Sequence, residues 1–255
     1  MHILVTNDDG VQAPGLLALA QELRRLGEVT VFAPDRNWSA SGHVKTLDRS
    51  LRVREETLAD GSPALSTDGA PSDSAALALL GLVKQKIALV VSGINPHENI
   101  GHDVTYSGTV TAAMEAVIGG VPGMAVSLHA PEGFQGRLDY GTAAAVGRRV
   151  AARLLAGGLP PGVFLNVNVP YLKESEIKGF MITRQGQRVY RDALEARVDP
   201  HGRPYYWIGG QPPTAVDEPG TDFGAIKAGY VSITPLQLDM TAPRALDEMK
   251  QWEWK

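Results

Sequence analysis

The chain has 255 residues, a formal net charge of −4 and no cysteine, and 44% of its residues are hydrophobic. This length and composition are typical of a globular protein with one large domain. The lack of cysteine excludes disulfides, thiolate zinc sites and cysteine nucleophiles, and the negative charge gives no general attraction to nucleic acid or anionic membranes. No stretch resembles a signal peptide or a membrane span, so we predict a cytoplasmic protein without nucleic-acid or membrane partners.

The first fifteen residues predict a buried strand, an acidic turn and a helix. The apolar run from Ile3 to Val5 is typical of a strand covered on both faces, and a helix is expected to begin near Pro14. Between them lie Asp8 and Asp9, beyond the carboxyl end of the strand, where open α/β sheets bind ligands. Two adjacent carboxylates favour a counter-cation, but Asp-Asp-Gly is also an ordinary turn sequence, and this stretch alone leaves both interpretations open.

The rest of the chain alternates strands and helices. We predict strands at 29–34, 87–91, 124–128, 163–169 and 230–234, and helices after Pro71 and at 110–118, 138–156, 222–228 and 243–252. This alternation is typical of an α/β fold with a Rossmann-like, open and mostly parallel sheet and flanking helices. Residues 44–68 interrupt it with an alternating stretch and an Asp60-Gly61 turn, which predict a small β-hairpin excursion.

The C-terminal part breaks the alternation. Residues 187–209 predict a β arm that carries three tyrosines and a tryptophan and has no local core to bury them. Such an arm is covered by a second subunit or folds back on its own domain, and the sequence leaves both possibilities open. We therefore divide the chain into a Rossmann-like core at 1–175, which includes the excursion, and a smaller part at 176–255 with the arm, a closing strand and a terminal helix.

Oxygen-bearing side chains from four segments converge on one edge of the predicted sheet. Asp8, Asp9, Ser39 and Asn95 offer the hard oxygen ligands that Mg²⁺, Mn²⁺ or Ca²⁺ prefers, without imidazole or thiolate. The fourth segment is a helix start at 107–109, where free N–H groups and hydroxyls make an anion site. A cation beside an anion site is what phosphoryl chemistry needs, so the pattern favours a metal phosphohydrolase over a non-catalytic site.

The same segments resemble the SurE family of survival-protein nucleotidases. The resemblance rests on Asn7-Asp-Asp-Gly-Val11, Ala33-Pro-Asp-Arg-Asn-Trp-Ser39, Ser92-Gly-Ile-Asn95, Tyr106-Ser-Gly-Thr-Val-Thr-Ala-Ala-Met-Glu115, Asn166-Val-Asn-Val-Pro170, Thr183-Arg184, Thr221-Asp222 and Gly229-Tyr-Val-Ser-Ile-Thr-Pro-Leu236. It implies a metal-dependent phosphatase acting on nucleoside 5′- and 3′-monophosphates, and in some members on short polyphosphate. It also implies a Rossmann-like core and a smaller C-terminal part that assembles homodimers or homotetramers.

Carried over residue by residue, the resemblance assigns a role to each residue of the expected site. The resemblance implies that one Mg²⁺ or Mn²⁺ ion per subunit is bound by Asp8, Asp9, Ser39 and Asn95. It implies that Asp8 and Asp9 are also catalytic. The residues on the phosphate side would be Asn99, Ser107, Gly108 and Thr109. Two departures stand out: Ala40 replaces a usual glycine, and Pro96-His97-Glu98 replaces a loop that usually contains Ala-Gly. The Pro96-His97 change bears on loop shape and substrate choice more than on the metal site, whereas Ala40 would narrow the access that a glycine would allow.

The sequence leaves two other functions open. An aspartyl-phosphate phosphatase would use Asp8 or Asp9 as its nucleophile, but it needs a lysine near the transferred phosphate, and Lys45 alone lies in the site segments. A nucleotide-sensing module without turnover would use the same acidic pocket. His97 and His102 could shuttle a proton, as an imidazole group can, although solvated loop histidines are the simpler interpretation.

Four further polar residues are expected near the site. Asn166 and Asn168 alternate along one predicted strand, so we expect at most one of them to face the site edge. Asp73 and Asp222 are expected at helix starts, where a carboxylate accepts hydrogen bonds from backbone N–H groups.

Overall fold

A nine-stranded mixed sheet runs through the computed structural model, which describes residues 1–131 and 133–254. From edge to edge its strands are β3 (Val53–Thr57), β4 (Pro63–Thr67), β2 (Glu28–Pro34), β1 (His2–Thr6), β5 (Ile87–Asn95), β6 (Gly123–His129), β7 (Val163–Pro170), β11 (Val231–Gln237) and β8 (Phe180–Ile182). The strands from β4 to β7 are parallel, whereas β3 and β11 run antiparallel to their neighbours β4 and β7. This order confirms the predicted Rossmann-like, mostly parallel α/β fold.

The sheet changes its direction of growth between β1 and β5. After β1 the chain adds β2 and β4 on one side, and then β5, β6 and β7 on the other. Ile3 in β1 accordingly pairs with Val29 of β2 and with Leu89 of β5. Ligands of open α/β sheets bind beyond the carboxyl ends of the strands at such a switch point. The loops that follow β1 and β5 are therefore where the fold favours a site.

Helices cover both faces of this sheet. They are α1 (Pro14–Leu23), α2 (Pro71–Leu77), α3 (Gly108–Ile118), α4 (Gly141–Leu155), α5 (Asp222–Lys227) and α6 (Pro243–Met249). Because alternate residues of a strand point to opposite faces, Ile3 and Val5 pack against α1 and α4, while Leu4 packs against α2 and α3. Within residues 1–131 and 133–254, no helix is both long and apolar enough to cross a bilayer.

The predicted hairpin at 44–68 extends the main sheet. β3 and β4 form an antiparallel pair on either side of the Asp60-Gly61 turn. β4 also pairs in parallel with β2, with Leu65 opposite Phe32. The hairpin therefore covers an edge of β2 whose backbone donors and acceptors would otherwise lack partners.

The C-terminal part both completes the sheet and forms the predicted arm. β8 and β11 lie at the sheet edge, whereas β9 (Arg188–Val198) and β10 (Pro204–Ala215) form a separate antiparallel pair. Large apolar side chains of this arm face solvent, including Leu194, which is 73% exposed, and Ile208, which is 86% exposed. The division of the chain at residue 175 stays a prediction, and β11 beyond it is a neighbour of β7 in the main sheet.

Candidate functional site

The acidic turn after β1 is shaped by its own side chains. Asn7 donates from Nδ2 to the carbonyl of Gly10 at 3.0 Å and accepts from the N–H of Gly10 at 3.2 Å. Gly10 has a φ of +106°, and a Cβ atom there would lie 3.3 Å from the backbone of Arg36. Only glycine combines this conformation with so close an approach. The turn thus presents Asp8 and Asp9 at the carboxyl edge of the sheet.

The N-terminus of α3 lies directly against Asp8. Ser107 caps the helix by accepting a hydrogen bond from the N–H of Val110 at 3.1 Å, and the Thr109 hydroxyl donates to Oδ1 of Asp8 at 2.5 Å. A Cβ atom on Gly108 would lie 2.7 Å from Cβ of Asp8, so a larger residue would push the two apart. The Asp8 carboxylate and the N-terminus of the helix therefore adjoin each other, and a cation and an anion could lie side by side there.

The loop after β2 brings Ser39 to the same edge. The N–H of Trp38 donates to the backbone carbonyl of Asp8 at 2.7 Å, and the N–H of Ser39 donates to Oδ1 of Asn37 at 2.7 Å. The Ser39 side chain is exposed on this loop. Ala40 has a φ of +58°, a left-handed conformation that costs a residue with a Cβ atom about 1–2 kcal/mol. A glycine, which the sequence resemblance leads us to expect here, would adopt this conformation without that cost.

Two buried acids fix the segment that follows Ser39. Glu115 of α3 contacts Nε2 of His43 at 3.0 Å and Nζ of Lys45 at 2.8 Å, and Asp73 of α2 accepts from the N–H and hydroxyl of Thr46 at 2.8 and 2.7 Å. The hydrogen bond from His43, together with Lys45, lowers the pKa of Glu115 despite its burial. Asp73 does lie in the first turn of α2, as expected. The role of Glu115 was not predicted, because this contact depends on which face α3 turns towards the loop.

Asn95 ends β5 beside the acidic turn. β1 and β5 are neighbours with Thr6 opposite Ser92, so Asp8 and Asn95 follow adjacent strand ends. Nδ2 of Asn95 donates to the carbonyl of His97 at 2.5 Å, and its amide oxygen has no hydrogen-bond partner among the described residues. This leaves the oxygen available as a ligand.

Asn99 is buried and anchors the loop beyond Asn95. Its N–H donates to Oδ1 of Asn168 at 2.8 Å, and its Nδ2 donates to Oγ of Ser127 at 2.8 Å. Its carbonyl accepts from Nδ2 of Asn166 at 2.7 Å and from Nδ2 of Asn168 at 3.0 Å. The expectation that at most one of these two asparagines faces the site edge was therefore wrong, because residues two apart in a strand point to the same face. His97 and His102 lie exposed in the same loop.

The acidic pair has little positive charge around it. Burial raises the pKa of Asp8 above its ordinary value, against the hydrogen bond from Thr109. Burial, and then the charge of Asp8, raise the pKa of Asp9 to about 7. In the part of the chain that the structure describes, no lysine, arginine or histidine forms a salt bridge with either carboxylate, and Lys45 is paired with Glu115 instead. Both groups therefore resist ionisation in the absence of a cation.

The donor atoms at this edge fit a hard dication. The Asp9 carboxylate, the Ser39 hydroxyl and the Asn95 amide oxygen have no hydrogen-bond partner within residues 1–131 and 133–254. Oxygen donors of this kind suit Mg²⁺ or Mn²⁺, and a dication would offset the repulsion between the two carboxylates. No group of three or more His, Cys, Asp and Glu side chains suited to a metal occurs among the described residues, so a cation here must also use hydroxyl and amide oxygens.

The fold and this edge together define a class of protein. It is an open α/β protein with an acidic pair, uncharged oxygen donors and a capped helix N-terminus gathered at the switch point of a mostly parallel sheet. Such an edge is suited to holding a phosphate group beside a hard cation.

Comparisons with known proteins give the family within this class. The family model described as Survival protein SurE matches residues 3–192. The chain is 52% identical to the 5′-nucleotidase SurE of Chloroflexus aggregans over the full length of both chains, and 53% identical to that of Herpetosiphon aurantiacus over 94% of each. It also matches the crystal structure of the SurE protein from Aquifex aeolicus, with a TM-score of 0.81, 38% identity and 98% of each chain covered. The chain belongs to the SurE family, as its motifs indicated.

Proposed function

We propose that this chain is a divalent-metal-dependent phosphomonoesterase that hydrolyses nucleoside 5′- and 3′-monophosphates to nucleoside and phosphate. One contact carries the proposal: Thr109, at the start of α3, donates to Asp8, so that an acidic pair lacking cations adjoins a helix N-terminus suited to phosphate. The relatives named 5′-nucleotidase SurE support the substrate class. Short-chain polyphosphate offers a similar terminal phosphate group and belongs to the proposed substrate range.

The side chains divide into two groups in this proposal. The metal ligands are Asp8, Asp9, Ser39 and Asn95, and the phosphate-side residues are Ser107, Gly108 and Thr109. One Mg²⁺ or Mn²⁺ ion per subunit would polarise a phosphate oxygen and lower the pKa of water. The start of α3 would hold the phosphate oxygens, and Asp9, the more exposed carboxylate, would orient the attacking water. Asn99, predicted on the phosphate side, would act by fixing the loop, since its amide nitrogen is bonded to Ser127.

Substitution of Asp8 tests the assignment most directly. We expect Asp8→Asn to lower kcat/KM for nucleoside monophosphates on the order of a thousandfold, because an uncharged ligand loses most of its attraction for a dication. The fold should survive, since asparagine has the same shape and removes a buried charge. The assay is phosphate release over a panel of nucleoside monophosphates and tripolyphosphate, with Mg²⁺, with Mn²⁺ and with chelator. Asp48→Asn, at an exposed carboxylate, is the control. Activity of Asp8→Asn in chelator equal to that of the wild type with Mg²⁺ or Mn²⁺ would rule the proposal out.

The other functions weighed from the sequence have less support. An aspartyl-phosphate mechanism needs a lysine at the transferred phosphate, and Lys45 is paired with Glu115 at 2.8 Å. A phosphorylated intermediate trapped on Asp8 or Asp9 would favour that mechanism. A sensing module would bind nucleotide without releasing phosphate in the same assay. The cytoplasmic location stays a prediction.

We also propose that the arm joins subunits into homodimers or homotetramers. Support comes from its exposed apolar side chains: Trp207 is 61% exposed and Leu194 and Ile208 more so. Exposed apolar surface of this kind commonly marks a protein interface. Light scattering after size exclusion should show a dimer or tetramer for the wild type and a smaller species for the double variant Leu194→Ser/Ile208→Ser. A monomeric wild type would contradict this proposal.

A further inference from the structure

The loop between β5 and α3 joins two residues of the proposed site, one at each end. This site loop, residues 95–106, leaves β5 with Asn95 and leads into the helix cap at Ser107. Its middle contacts the base of the arm, residues 185–190. We propose that the arm base positions the site loop, with Arg188 as the central positioning residue; this inference rests on the proposed function.

Arg188 neutralises two acids of the site loop. Its Nε lies 2.7 Å from Oδ2 of Asp103, and its Nη2 lies 3.5 Å from Oε1 of Glu98. Its side chain is only 11% exposed, although it lies at the start of an arm that is otherwise largely in solvent. The guanidinium group presents a rigid fork of donors, so one Arg188 side chain fixes two loop carboxylates relative to the arm.

Each of these acids also has a second partner. Nδ1 of His129, at the end of β6, lies 2.9 Å from Oε2 of Glu98, and Tyr190 donates to Oδ1 of Asp103 at 2.5 Å. Burial would raise the pKa of Glu98, but the adjoining His129 and the charge of Arg188 hold it below its ordinary value. Glu98 is therefore a charged group held between the sheet and the arm.

The backbone of the site loop is fixed to the C-terminal part as well. The carbonyl of Gly101 accepts from Nε2 of Gln185 at 2.9 Å, and its N–H donates to Oδ2 of Asp222 at 2.8 Å. The other oxygen of Asp222 accepts from the N–H of Gly186 at 2.8 Å. Gly101 has a φ of +51°, and a Cβ atom there would lie 2.8 Å from the carbonyl of Gly186. Asp222, expected only as a helix-start residue, thus joins loop and arm base through one carboxylate.

These contacts act on Asn95 and Ser107 through the loop between them. Asn99 fixes the inner side of the loop to β6 and β7, and the arm base fixes its outer side. Without Arg188, the carboxylates of Glu98 and Asp103 would lose the cation they share and would repel each other. The loop would then shift, and Asn95 and the start of α3 would no longer keep their places relative to Asp8. Arg188 touches neither cation nor substrate, so its effect should be one of positioning.

The test compares Arg188→Met with Arg197→Met in the full-length chain. Arg197 lies on the same strand, is exposed and, within the described part of the chain, pairs only with Glu195 two residues away, which makes it a matched control. We expect Arg188→Met to speed amide hydrogen exchange in residues 96–106, and to weaken Mn²⁺ binding and kcat/KM by about 10–100-fold, the usual range for residues that orient ligands. kcat should fall as well as KM rise. Arg197→Met should change none of these, and Arg188→Lys should recover part of the loss, since lysine keeps the charge but not the fork.

The exchange measurement separates this inference from the proposed function. A wild-type chain that neither binds Mn²⁺ nor releases phosphate contradicts the proposed function, while exchange in residues 96–106 still decides whether Arg188 holds the loop. Unchanged exchange and Mn²⁺ affinity in a folded Arg188→Met chain would overturn the positioning role. If Arg188→Met does not fold, the exposed Gln185→Met substitution removes one hydrogen bond to Gly101 and should weaken Mn²⁺ binding about threefold. No change there would equally overturn the inference.

Discussion

The molecule has two pairs of acidic residues near its site, and among the described residues only one of the pairs is neutralised by a basic side chain. Asp8 and Asp9 have raised pKa values and no salt bridge to a described basic residue. Glu98 and Asp103, in the site loop, share the Arg188 guanidinium, and the pKa of Glu98 is lowered. The first pair has no basic partner among the described residues, although Thr109 donates a hydrogen bond to Asp8. The second is complete within the chain.

This difference separates residues that bind a ligand from residues that hold the structure. A fold that only needed stability would neutralise Asp8 and Asp9 as it neutralises Glu98 and Asp103, because an unpaired buried charge is costly. Carboxylates with perturbed pKa values and no basic partner are typical of functional sites, where a bound ligand offsets the cost of burying them. Each of the following predictions alters one side of this contrast.

Of the effects that would alter this contrast, the largest is expected at the contact between Asp8 and α3. Gly108→Ala places a Cβ atom 2.7 Å from Cβ of Asp8, so helix and carboxylate must separate. We expect kcat/KM to fall about a hundredfold or more, because the groups that hold phosphate and cation lose their relative placement. Gly141→Ala, at the first position of α4, is the control, since its Cβ atom would meet only the side chain of Asp139, at 3.2 Å. Equal activity of the two variants would mean that this contact has no part in catalysis.

A smaller effect, on the free energy of unfolding, is expected from a substitution in the pair Glu98 and Asp103. Glu98→Gln removes a charge held by His129 and Arg188, and should destabilise the protein at pH 7 by about 1–3 kcal/mol. The folded pKa of Glu98 lies below its ordinary value of 4.5, so this stabilisation is present above that pH and is lost as the pH falls through the folded pKa. Urea unfolding at pH 7 and pH 4 measures the difference, with Glu195→Gln in the exposed arm as the control. A loss of stability that is the same at both pH values would contradict the charge explanation.

At Asp9, which has no basic partner among the described residues, we expect stability to depend on pH with the opposite sign. The pKa of Asp9 is 3.8 ordinarily and about 7 in the folded, metal-free chain. Because the folded state binds this proton more tightly than the unfolded state, stability falls as the pH rises between these two values. Asp9→Asn removes the charge and should raise the Tm in chelator, by about 2–4 °C for each kcal/mol recovered. The gain should be larger at pH 8 than at pH 5. Asp247→Asn, at an exposed carboxylate, should show no such dependence. A Tm for Asp9→Asn below that of the wild type at pH 8 would refute the explanation.

Much of this architecture could be predicted because it depends on short stretches of sequence. Buried parallel strands appear as continuous apolar runs, and the residues that follow them must meet at one edge, which is why Asp8, Asn95 and the start of α3 were found together. The hairpin at 44–68 was also predicted from the sequence. Its pairing with β2 was not, because a hairpin signal fixes the two strands relative to each other but says nothing of which sheet edge they join.

The contacts that hold the site in place were harder to predict. Glu115 with Lys45, and Arg188 with Asp103, join residues far apart in the chain, and their pairing depends on helix rotation and on where the arm leaves the sheet. No local pattern encodes such distances. The shared role of Asn166 and Asn168 was available from strand periodicity alone, because residues i and i+2 point to one face.

The position of β1 in the middle of the sheet has a consequence for how this protein forms. β1 is made first, yet its second neighbour, β5, follows only after β2, β3, β4 and α2 have been made. Until then one edge of its backbone lacks partners, and its apolar side chains are only partly covered. Parallel pairings between distant segments form slowly and leave nascent chains prone to aggregation. Substitutions that weaken β5 should therefore reduce the yield of native protein during synthesis more than they reduce the equilibrium stability of molecules that have already folded.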